Sequence, residues 1–417
     1  MNALTPYMDD SDELLPGFDA RAYVVPPQGR PVGTKLSPSS RSASDPTLWA
    51  LEPATAAKHR LYAAYLDAWF PILLQSPWNE KVTYVDAFAG PGEYLDGEDG
   101  SPVFAIRNLL NHSARDSMNL TRDRVTLVFL EAREDRYLHL MDRLTSEFGS
   151  LDELPINVVV EEGRAERDLM PLLNAHRAWG SPILAVFDSW GNVSVPWTDM
   201  RRIALNPSSE IVVTFGPNWF SRFEGPKPDD LDAVFGGREF WSRSDPDATA
   251  NERWENWLLD YKNAVIRAGF TYPLAFEALA KTGIPLYMVF GTRHPSGVKA
   301  FKRAKWVVDG DEGMRFSDPR TTAARKSAET LWQPSLFDAF GDPNKPDDEL
   351  LGFVMLLLQQ KPATVDEIAE FLELDTPQWM ASHARLAIRY LMDEGVILRE
   401  NSGGRLTGSS LLRLAAP

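Results

Sequence analysis

The chain has 417 residues, of which 44% are hydrophobic and 11% aromatic, enough to build two or three domains around buried cores. It contains no cysteine, which excludes disulfides, a thiolate nucleophile, cysteine-ligated zinc and iron–sulfur clusters. Its 43 basic and 59 acidic residues leave a net charge of −16, which disfavours nucleic acid except at a local basic patch. No apolar run is long enough to span a bilayer and no secretion signal is visible, so we predict a cytoplasmic protein without membrane contact.

The N-terminal part divides into an arm and a helix. Residues 1–46 hold seven prolines and a serine-rich stretch, 37–44, and are predicted to form a mobile or draped arm. Between residues 48 and 74, apolar side chains recur every three or four positions, for example at Leu61, Tyr65 and Trp69. This spacing predicts an amphipathic helix packed on the core.

Short β-rich runs then alternate with helical patterns. Alternation at this spacing predicts parallel βαβ units in an open, doubly wound α/β sheet of the Rossmann-like type. Ligands of such sheets bind at the carboxyl ends of the strands. The predicted strands are 82–87, 125–130, 156–160, 182–187 and 210–215, and the predicted helices lie near 102–112, 134–148, 166–179 and 197–205.

The sheet is predicted to end in an antiparallel hairpin. Residues 217–268 look like an insertion, with a loop-rich first part and a tryptophan-rich helix that starts at Asn251. Two further β-rich runs, 272–279 and 284–291, are joined by Lys281-Thr282-Gly283, a connection typical of a hairpin. The main domain is therefore predicted to span residues 47–331.

A proline-containing linker, 332–348, precedes a smaller C-terminal unit at 349–417. Two helices, 349–360 and 378–394, flank a third that opens at Thr364 in a capping box with Glu367. Two short runs, 395–399 and 405–407, follow as the strands of a wing. The order predicts a winged helix-turn-helix. Because acids outnumber bases in this unit, we predict association with protein or with itself rather than with DNA.

The strongest chemical signal lies where the first core strand ends. Asp86 ends an apolar run, and the glycines at 90 and 92 allow a tight turn close to a ligand. This pattern predicts a nucleotide-type cofactor pocket, with a purely structural strand-to-helix turn as the alternative. Leu95 stands where a dinucleotide fingerprint would have its third glycine.

Three later positions have a functional and a plain structural interpretation. Ser101 either caps the next helix or brings backbone N–H groups toward a carboxylate. Glu131, followed by Ala132, either accepts hydrogen bonds from ribose hydroxyls or is a solvated acid at a helix start. Gly163, after the third strand, lies either beside an adenine ring or in an ordinary loop.

The fourth strand ends in Asp188-Ser189-Trp190-Gly191. A carboxylate beside an aromatic plane can hold an acceptor and stack a flat ring, as in-line methyl transfer requires. The alternative is an aspartate that only orients its loop. We predict Asp188 and Trp190 as the catalytic residues, with Asp188 as anchor or base for the acceptor.

These motifs resemble those of a known family. The D-x-F-x-G-x-G pattern from Asp86 to Gly92 is similar to the first motif of class I S-adenosylmethionine-dependent methyltransferases, and Asp188 onward resembles their fourth motif, with Ser189 in place of proline. The chain as a whole resembles the three-Cys-motif partner proteins, through Lys58 to Trp69, Tyr84 to Tyr94 with Gly100-Ser101-Pro102, Phe187 to Gly191, and Leu286 to Trp306.

The resemblance implies S-adenosylmethionine as cofactor, a winged-helix tail, and a radical-SAM-like three-Cys-motif protein as partner. A homo-oligomer is a further expectation. We predict methyl transfer to a nitrogen or oxygen acceptor that is nucleobase-like or a small molecule. There are two alternatives: a non-catalytic methyltransferase-like protein that binds a partner protein or DNA through its winged helix, and a nicotinamide oxidoreductase. No metal site is predicted. The predicted cofactor-binding residues are Asp86, Phe88, Ala89, Gly90, Gly92, Ser101, Glu131, Ala132, Gly163 and Asp188.

Overall fold

The computed structural model describes residues 46–310, 312–321, 346–400 and 405–415, and of Trp190 only the backbone. The arm predicted at 1–46, apart from Pro46, and the linker predicted at 332–348, apart from its last three residues, lie outside the described residues. Within these ranges no helix is both long enough and apolar enough to cross a membrane.

An eight-stranded sheet forms the centre of the main body, with the order β3-β2-β1-β4-β5-β7-β6-β8. Neighbouring strands among the first five are parallel, while β7 runs antiparallel to both β5 and β6. The predicted Rossmann-like sheet and its antiparallel hairpin are therefore confirmed. The strands are β1 (Val82–Asp86), β2 (Val125–Glu131), β3 (Asn157–Glu162), β4 (Ile183–Gly191), β5 (Glu210–Phe215), β6 (Tyr272–Leu279), β7 (Pro285–Thr292) and β8 (Arg315–Ser317).

Helices cover both faces of the sheet, so the doubly wound architecture is also confirmed. Neighbouring residues of β1 point to opposite faces, as the two-residue period of a strand requires: Tyr84 joins one apolar cluster and Val85 the other. The helices of this body are α1 (Pro53–Leu74), α2 (Ser101–Leu110), α3 (Arg115–Met118), α4 (Glu134–Phe148), α5 (Ala165–Ala175), α6 (Trp197–Ala204), α7 (Pro217–Phe223), α8 (Pro228–Phe235), α9 (Ala250–Ala268) and α10 (Pro295–Val308).

The stretch 216–247 differs from the prediction of a loop-rich segment, because it contains α7, α8 and a 3₁₀ turn, Arg238–Phe240. The aromatic side chains in it explain the difference. Phe220 and Phe235 are fully buried against Trp257 of α9, and burial of this apolar area stabilises helices too short to form alone. Strand β8, at the sheet edge beside β6, was also absent from the prediction.

The C-terminal residues, here 346–400 and 405–415, have an apolar cluster of their own. The predicted capping box is present: the Glu367 N–H donates to the Thr364 hydroxyl, and the Thr364 N–H donates to the Glu367 carboxylate. Helix, strand, helix, helix and hairpin follow in the order of a winged helix-turn-helix, and assignment to that class stays a prediction. The elements are α11 (Asp348–Gln360), β9 (Ala363–Thr364), α12 (Val365–Asp375), the 3₁₀ turn Ala381–His383, α13 (Ala384–Asp393), β10 (Ile397–Arg399) and β11 (Leu411–Leu414).

One wing strand was placed wrongly. The prediction put it at 405–407, whereas β11 lies at Leu411–Leu414 and pairs with both β10 and β9. The reason is local: the Thr407 N–H donates to the Ser410 hydroxyl, and the Ser410 N–H donates to the Thr407 carbonyl. These bonds close a turn where the prediction had extended chain.

Helix α10 contacts the C-terminal residues through buried lysines. Lys302 is fully buried, and its Nζ donates to the carbonyls of Leu372 at 2.9 Å, Trp379 at 2.8 Å and Glu373. One turn later, Lys305 donates to the Pro377 carbonyl at 2.8 Å. The last carbonyls of α12 have no partner inside their own helix, and Lys302 supplies a donor to two of them, those of Leu372 and Glu373. The Thr376 hydroxyl also donates to the Leu372 carbonyl, at 2.6 Å.

Candidate functional site

A cleft lies at the carboxyl ends of β1, β2 and β4, the edge at which ligands bind in sheets of this kind. Helix α1 and the segment before it form its other wall. The residues that line it are Trp49, Thr55, Lys58, His59, Tyr62, Asp86, Phe88, Ala89, Gly90, Pro91, Gly92, Glu93, Tyr94, Gly100, Ser101, Glu131, Ala132, Arg136, Val186 and Asp188.

Asp86, at the end of β1, is 1% exposed and lies in this cleft. Its Oδ1 accepts the Phe88 N–H at 3.2 Å, while its Oδ2 has no hydrogen-bond partner among the described residues. Burial raises the pKa of Asp86 to about 6, although the Ser101 hydroxyl and the Phe88 N–H favour the ionised form. A buried carboxylate with one unpaired oxygen is a strong site for a cationic group.

The loop after Asp86 needs its glycines for two different reasons. Gly90 has φ +66° and Gly92 has φ +83°, the left-handed region that side chains disfavour. At Gly92 a Cβ would also lie 2.7 Å from Cδ1 of Leu140. The Gly100 N–H donates to the Gly92 carbonyl at 2.7 Å, so the loop folds back to the start of α2.

Glu131, at the end of β2, is 7% exposed and holds this loop in place. Its Oε2 accepts the Gly90 N–H at 2.9 Å and its Oε1 accepts the Arg133 N–H at 2.8 Å. Burial raises the pKa of Glu131, and the Arg133 N–H and the Arg136 charge work against this shift. Each carboxylate oxygen can accept a second hydrogen bond, so capacity remains for ligand hydroxyls.

Asp188 is paired with Lys58 of α1. The Lys58 Nζ donates to Oδ1 at 2.8 Å and to Oδ2 at 2.6 Å, and the lysine is 4% exposed. Burial alone would raise the pKa of Asp188, but the Lys58 ammonium outweighs it and holds the pKa below its ordinary value. Asp188 is therefore an ionised carboxylate, a poor acceptor of a further proton.

Aromatic rings form much of the remaining wall. The rings of Trp49 and Tyr94 meet edge to face with centroids 5.7 Å apart, and the Arg136 guanidinium lies 4.7 Å from the Trp49 ring centroid. The Tyr94 hydroxyl lies 3.2 Å from His59 Nε2. Burial, followed by the Lys58 charge, lowers the pKa of His59 to about 4, so the imidazole is neutral. Such a wall suits a flat heterocycle.

The cleft brings together most of the predicted site residues, while two of them differ from expectation and one cannot be placed. Gly163 is not among the residues that line the cleft. Ser101 lines it as the first residue of α2, whereas the N-cap is Gly100. The side chain of Trp190 lies outside the described part of the chain. The predicted residues in the lining are Asp86, Phe88, Ala89, Gly90, Gly92, Ser101, Glu131, Ala132 and Asp188.

The sequence interpretation missed four contributors: Trp49, Lys58 as the partner of Asp188, Tyr62 and Arg136. Lys58 and Tyr62 lie four residues apart, which places them on one face of α1, and a polar pair on the buried face of an amphipathic helix was the available signal. Arg136 lies in the first turn of α4, directly after the Glu131 strand end. Trp49 has no comparable pattern around it.

No family model matches the chain, and no curated protein matches it. Similar solved structures include Trm1 from Pyrococcus horikoshii in complex with S-adenosyl-L-methionine, at 12% identity over 90% of this chain and 94% of that one, with a TM-score of 0.39. EvdMO1 matches at 15% identity over 71% of this chain and 52% of that one, with a TM-score of 0.30. Spermidine synthase from Thermotoga maritima matches at 14% identity over 66% and 74%, with a TM-score of 0.29.

Proposed function

We propose that this protein is a methyltransferase that uses S-adenosylmethionine and methylates a nitrogen or oxygen acceptor. The observation that carries the proposal is Asp86: a carboxylate at the end of the first core strand, 1% exposed, with Oδ2 unpaired in a cleft beside a glycine loop. Comparisons with TM-scores below 0.5 add no weight to it, so it depends on the topology and the cleft.

The residues present fit the chemical groups of that cofactor. Asp86 suits the cationic amino group, and a cation there would remove the energetic penalty of its unpaired oxygen. Glu131 suits the ribose hydroxyls, because it retains acceptor capacity beside its two backbone N–H donors. The aromatic wall at Trp49 and Tyr94 suits a purine ring.

When bound, S-adenosylmethionine supplies an electrophilic methyl group on a sulfonium. The protein's part is to bind, orient and exclude water, since positioning contributes most of what such a transfer needs. The glycine loop would let the backbone come close to the cofactor, and Asp188 with Lys58 forms the wall on which we place the acceptor. Trp190 as an acceptor contact and a three-Cys-motif protein as partner remain predictions.

A non-catalytic, methyltransferase-like protein is the second candidate, and one observation favours it. Asp188, the predicted base, is bound through both oxygens by Lys58 and is held ionised. A non-catalytic protein needs a cleft that binds the cofactor, and it needs no free base in that cleft. The two candidates differ only in turnover, so binding and product must be measured separately.

Calorimetry with S-adenosylhomocysteine tests the pocket. We expect the wild-type protein to bind it and Asp86→Asn to bind about ten- to a hundredfold more weakly, because a charge-assisted hydrogen bond is lost. Asp96→Asn, an exposed acid on the same loop, is the matched control and should leave the affinity unchanged. NADH is titrated in parallel, and preference for NADH would support the oxidoreductase alternative instead.

Mass spectrometry then tests turnover. Extracts of a host that overproduces the protein are searched for a product heavier by one CH₂ group, with an Asp86→Asn strain as the negative control. Binding of S-adenosylhomocysteine with no methylated product would favour the non-catalytic candidate. Absence of binding in the calorimetry would refute the pocket itself.

A further inference from the structure

The wall of the cleft around Asp188 has unused hydrogen-bond donors. An ammonium carries three N–H donors. Among the described residues Lys58 directs its donors only to the two oxygens of Asp188, at 2.8 and 2.6 Å, so one N–H remains. Tyr62, one helical turn later and 4% exposed, also lines the cleft. The Thr214 hydroxyl lies near its hydroxyl, but no described residue meets hydrogen-bond geometry with it.

The same wall lacks a competent base. Asp188 is ionised and engaged by Lys58, so the neighbouring positive charge opposes its protonation. His59 is the other titratable group on this side of α1, and its Nε2 already faces the Tyr94 hydroxyl. Burial and the Lys58 charge lower the pKa of His59 to about 4, which makes the imidazole a weak base. A protonated acceptor would therefore find no group here to remove its proton.

We propose, on the basis of the methyltransferase assignment above, that the acceptor is an oxygen nucleophile bound in its ionised form, a carboxylate or phenolate, held by the remaining N–H of Lys58 and the hydroxyl of Tyr62. Such an acceptor needs hydrogen-bond donors, which Lys58 and Tyr62 supply, and it needs no base. A lone pair of its oxygen forms the new C–O bond as the S–C bond of the methyl donor breaks. The electron pair of that bond leaves with sulfur, and no proton is released.

An amine acceptor fits the wall less well. A protonated amine brings only hydrogen-bond donors and would have to compete with Lys58 for the Asp188 oxygens. A neutral amine would become cationic as it gains the methyl group, beside a wall whose free groups are donors. The donors of Lys58 and Tyr62 thus distinguish between the two acceptor classes that the proposed function leaves open.

Benzoate and benzylamine, which match in shape and differ in charge, test this directly. Binding is followed by ligand-observed NMR with saturating S-adenosylhomocysteine. We expect benzoate to bind and benzylamine not to bind. Lys58→Met should weaken benzoate at least about tenfold, the effect of one charge-assisted hydrogen bond. Lys299→Met, which removes an exposed lysine of α10, is the matched control and should change nothing.

Variants at Asp188 separate recognition from folding. Asp188→Asn leaves the Lys58 charge uncompensated, so benzoate should bind more tightly than to the wild type, an outcome that a purely structural role of the pair would not produce. The double variant Lys58→Met/Asp188→Asn carries no buried charge at this site, so it should fold and still bind benzoate weakly.

Three results would overturn the proposal: stronger binding of benzylamine, no binding of either probe, or benzoate binding that is indifferent to Lys58→Met and to Asp188→Asn. Failure of the methyltransferase assignment is recognised separately, because it shows as absent S-adenosylhomocysteine binding. Benzoate titrations without the nucleoside would in that case still report on the anion site at Lys58.

Discussion

Replacing Lys302 by methionine tests how the C-terminal residues are attached to the main body. Lys302 Nζ donates to three buried carbonyls, those of Leu372, Glu373 and Trp379. Methionine has a similar length and no donor, so the substitution keeps the packing and removes the ammonium from all three carbonyls. The Leu372 carbonyl keeps the Thr376 hydroxyl as a donor at 2.6 Å. The carbonyls of Glu373 and Trp379 lose their main hydrogen-bond partner. The Lys302→Met variant therefore isolates the contribution of the ammonium.

Two opposing effects set the magnitude. A buried carbonyl without a partner costs about 1–3 kcal/mol, so the two that lose theirs cost about 4 kcal/mol. The ammonium itself is poorly solvated: burial lowers the pKa of Lys302 from 10.5 to about 8, a penalty of about 3 kcal/mol that the substitution removes. The difference is a loss of about 1 kcal/mol, which is larger than the change expected for an exposed surface substitution.

Urea denaturation followed by tryptophan fluorescence gives the loss of stability, and hydrogen exchange of peptides covering 365–380 shows where it acts. Lys299→Met, on the same helix but exposed, should change the free energy of unfolding by less than about 0.5 kcal/mol. If Lys302→Met behaves like this control, or if exchange in 365–380 is unchanged, the three hydrogen bonds do not hold the C-terminal residues to α10.

Further predictions concern the loop and two buried acids. Gly92→Ala should lower the free energy of unfolding by about 2–3 kcal/mol, from backbone strain and contact with Leu140, whereas Gly97→Ala, also at positive φ but facing open space, should cost about 1 kcal/mol in the same thermal-shift series. Burial raises the pKa of Glu210 from 4.5 to about 7, so folding favours its protonated form and stability is lost as pH rises from about 4.5 through 7. Glu210→Gln should thus be more stable than the wild type at pH 8, by about 3 kcal/mol from a shift of about 2.5 units, and similar to it at pH 4, as urea titrations at the two pH values will show. Affinity for S-adenosylhomocysteine should fall as pH drops through about 6, where Asp86 takes up its proton, and calorimetry of Asp86→Asn should show no such dependence.

Periodic patterns account for the part of the fold that the sequence predicts well. The five strands from β1 to β5 and helices such as α4 match their predicted positions within a few residues, because burial on both faces makes each parallel strand a short apolar run. The segment that became α7 and α8 has no such regularity. Its helices depend on contacts of Phe220 and Phe235 with α9, which are tertiary interactions invisible to local pattern analysis.

In the candidate site, too, local patterns identified some residues and missed others. Asp86, Glu131 and Asp188 were found because each was predicted to end an apolar strand, and the carboxyl ends of parallel strands converge at one edge of the sheet. Asp86 and Glu131 do end their strands, whereas β4 continues past Asp188 to Gly191. The error at Ser101 was one of register, since the α2 helix begins at that residue and Gly100 occupies the N-cap. A shift of one residue at a helix start is beyond what local spacing can define.

Lys58 changes the chemistry of the site more than any residue that the motifs identified. It lies 130 positions before Asp188 in the chain, so no local window contains both. From its motif alone, Asp188 is a free carboxylate that could remove a proton from an acceptor. Once the ammonium is paired with it, the carboxylate is held ionised, and the hydrogen-bond donors that remain on this wall belong to Lys58 and Tyr62. The acceptor that suits the cleft therefore changes from one that must lose a proton to one that arrives without it.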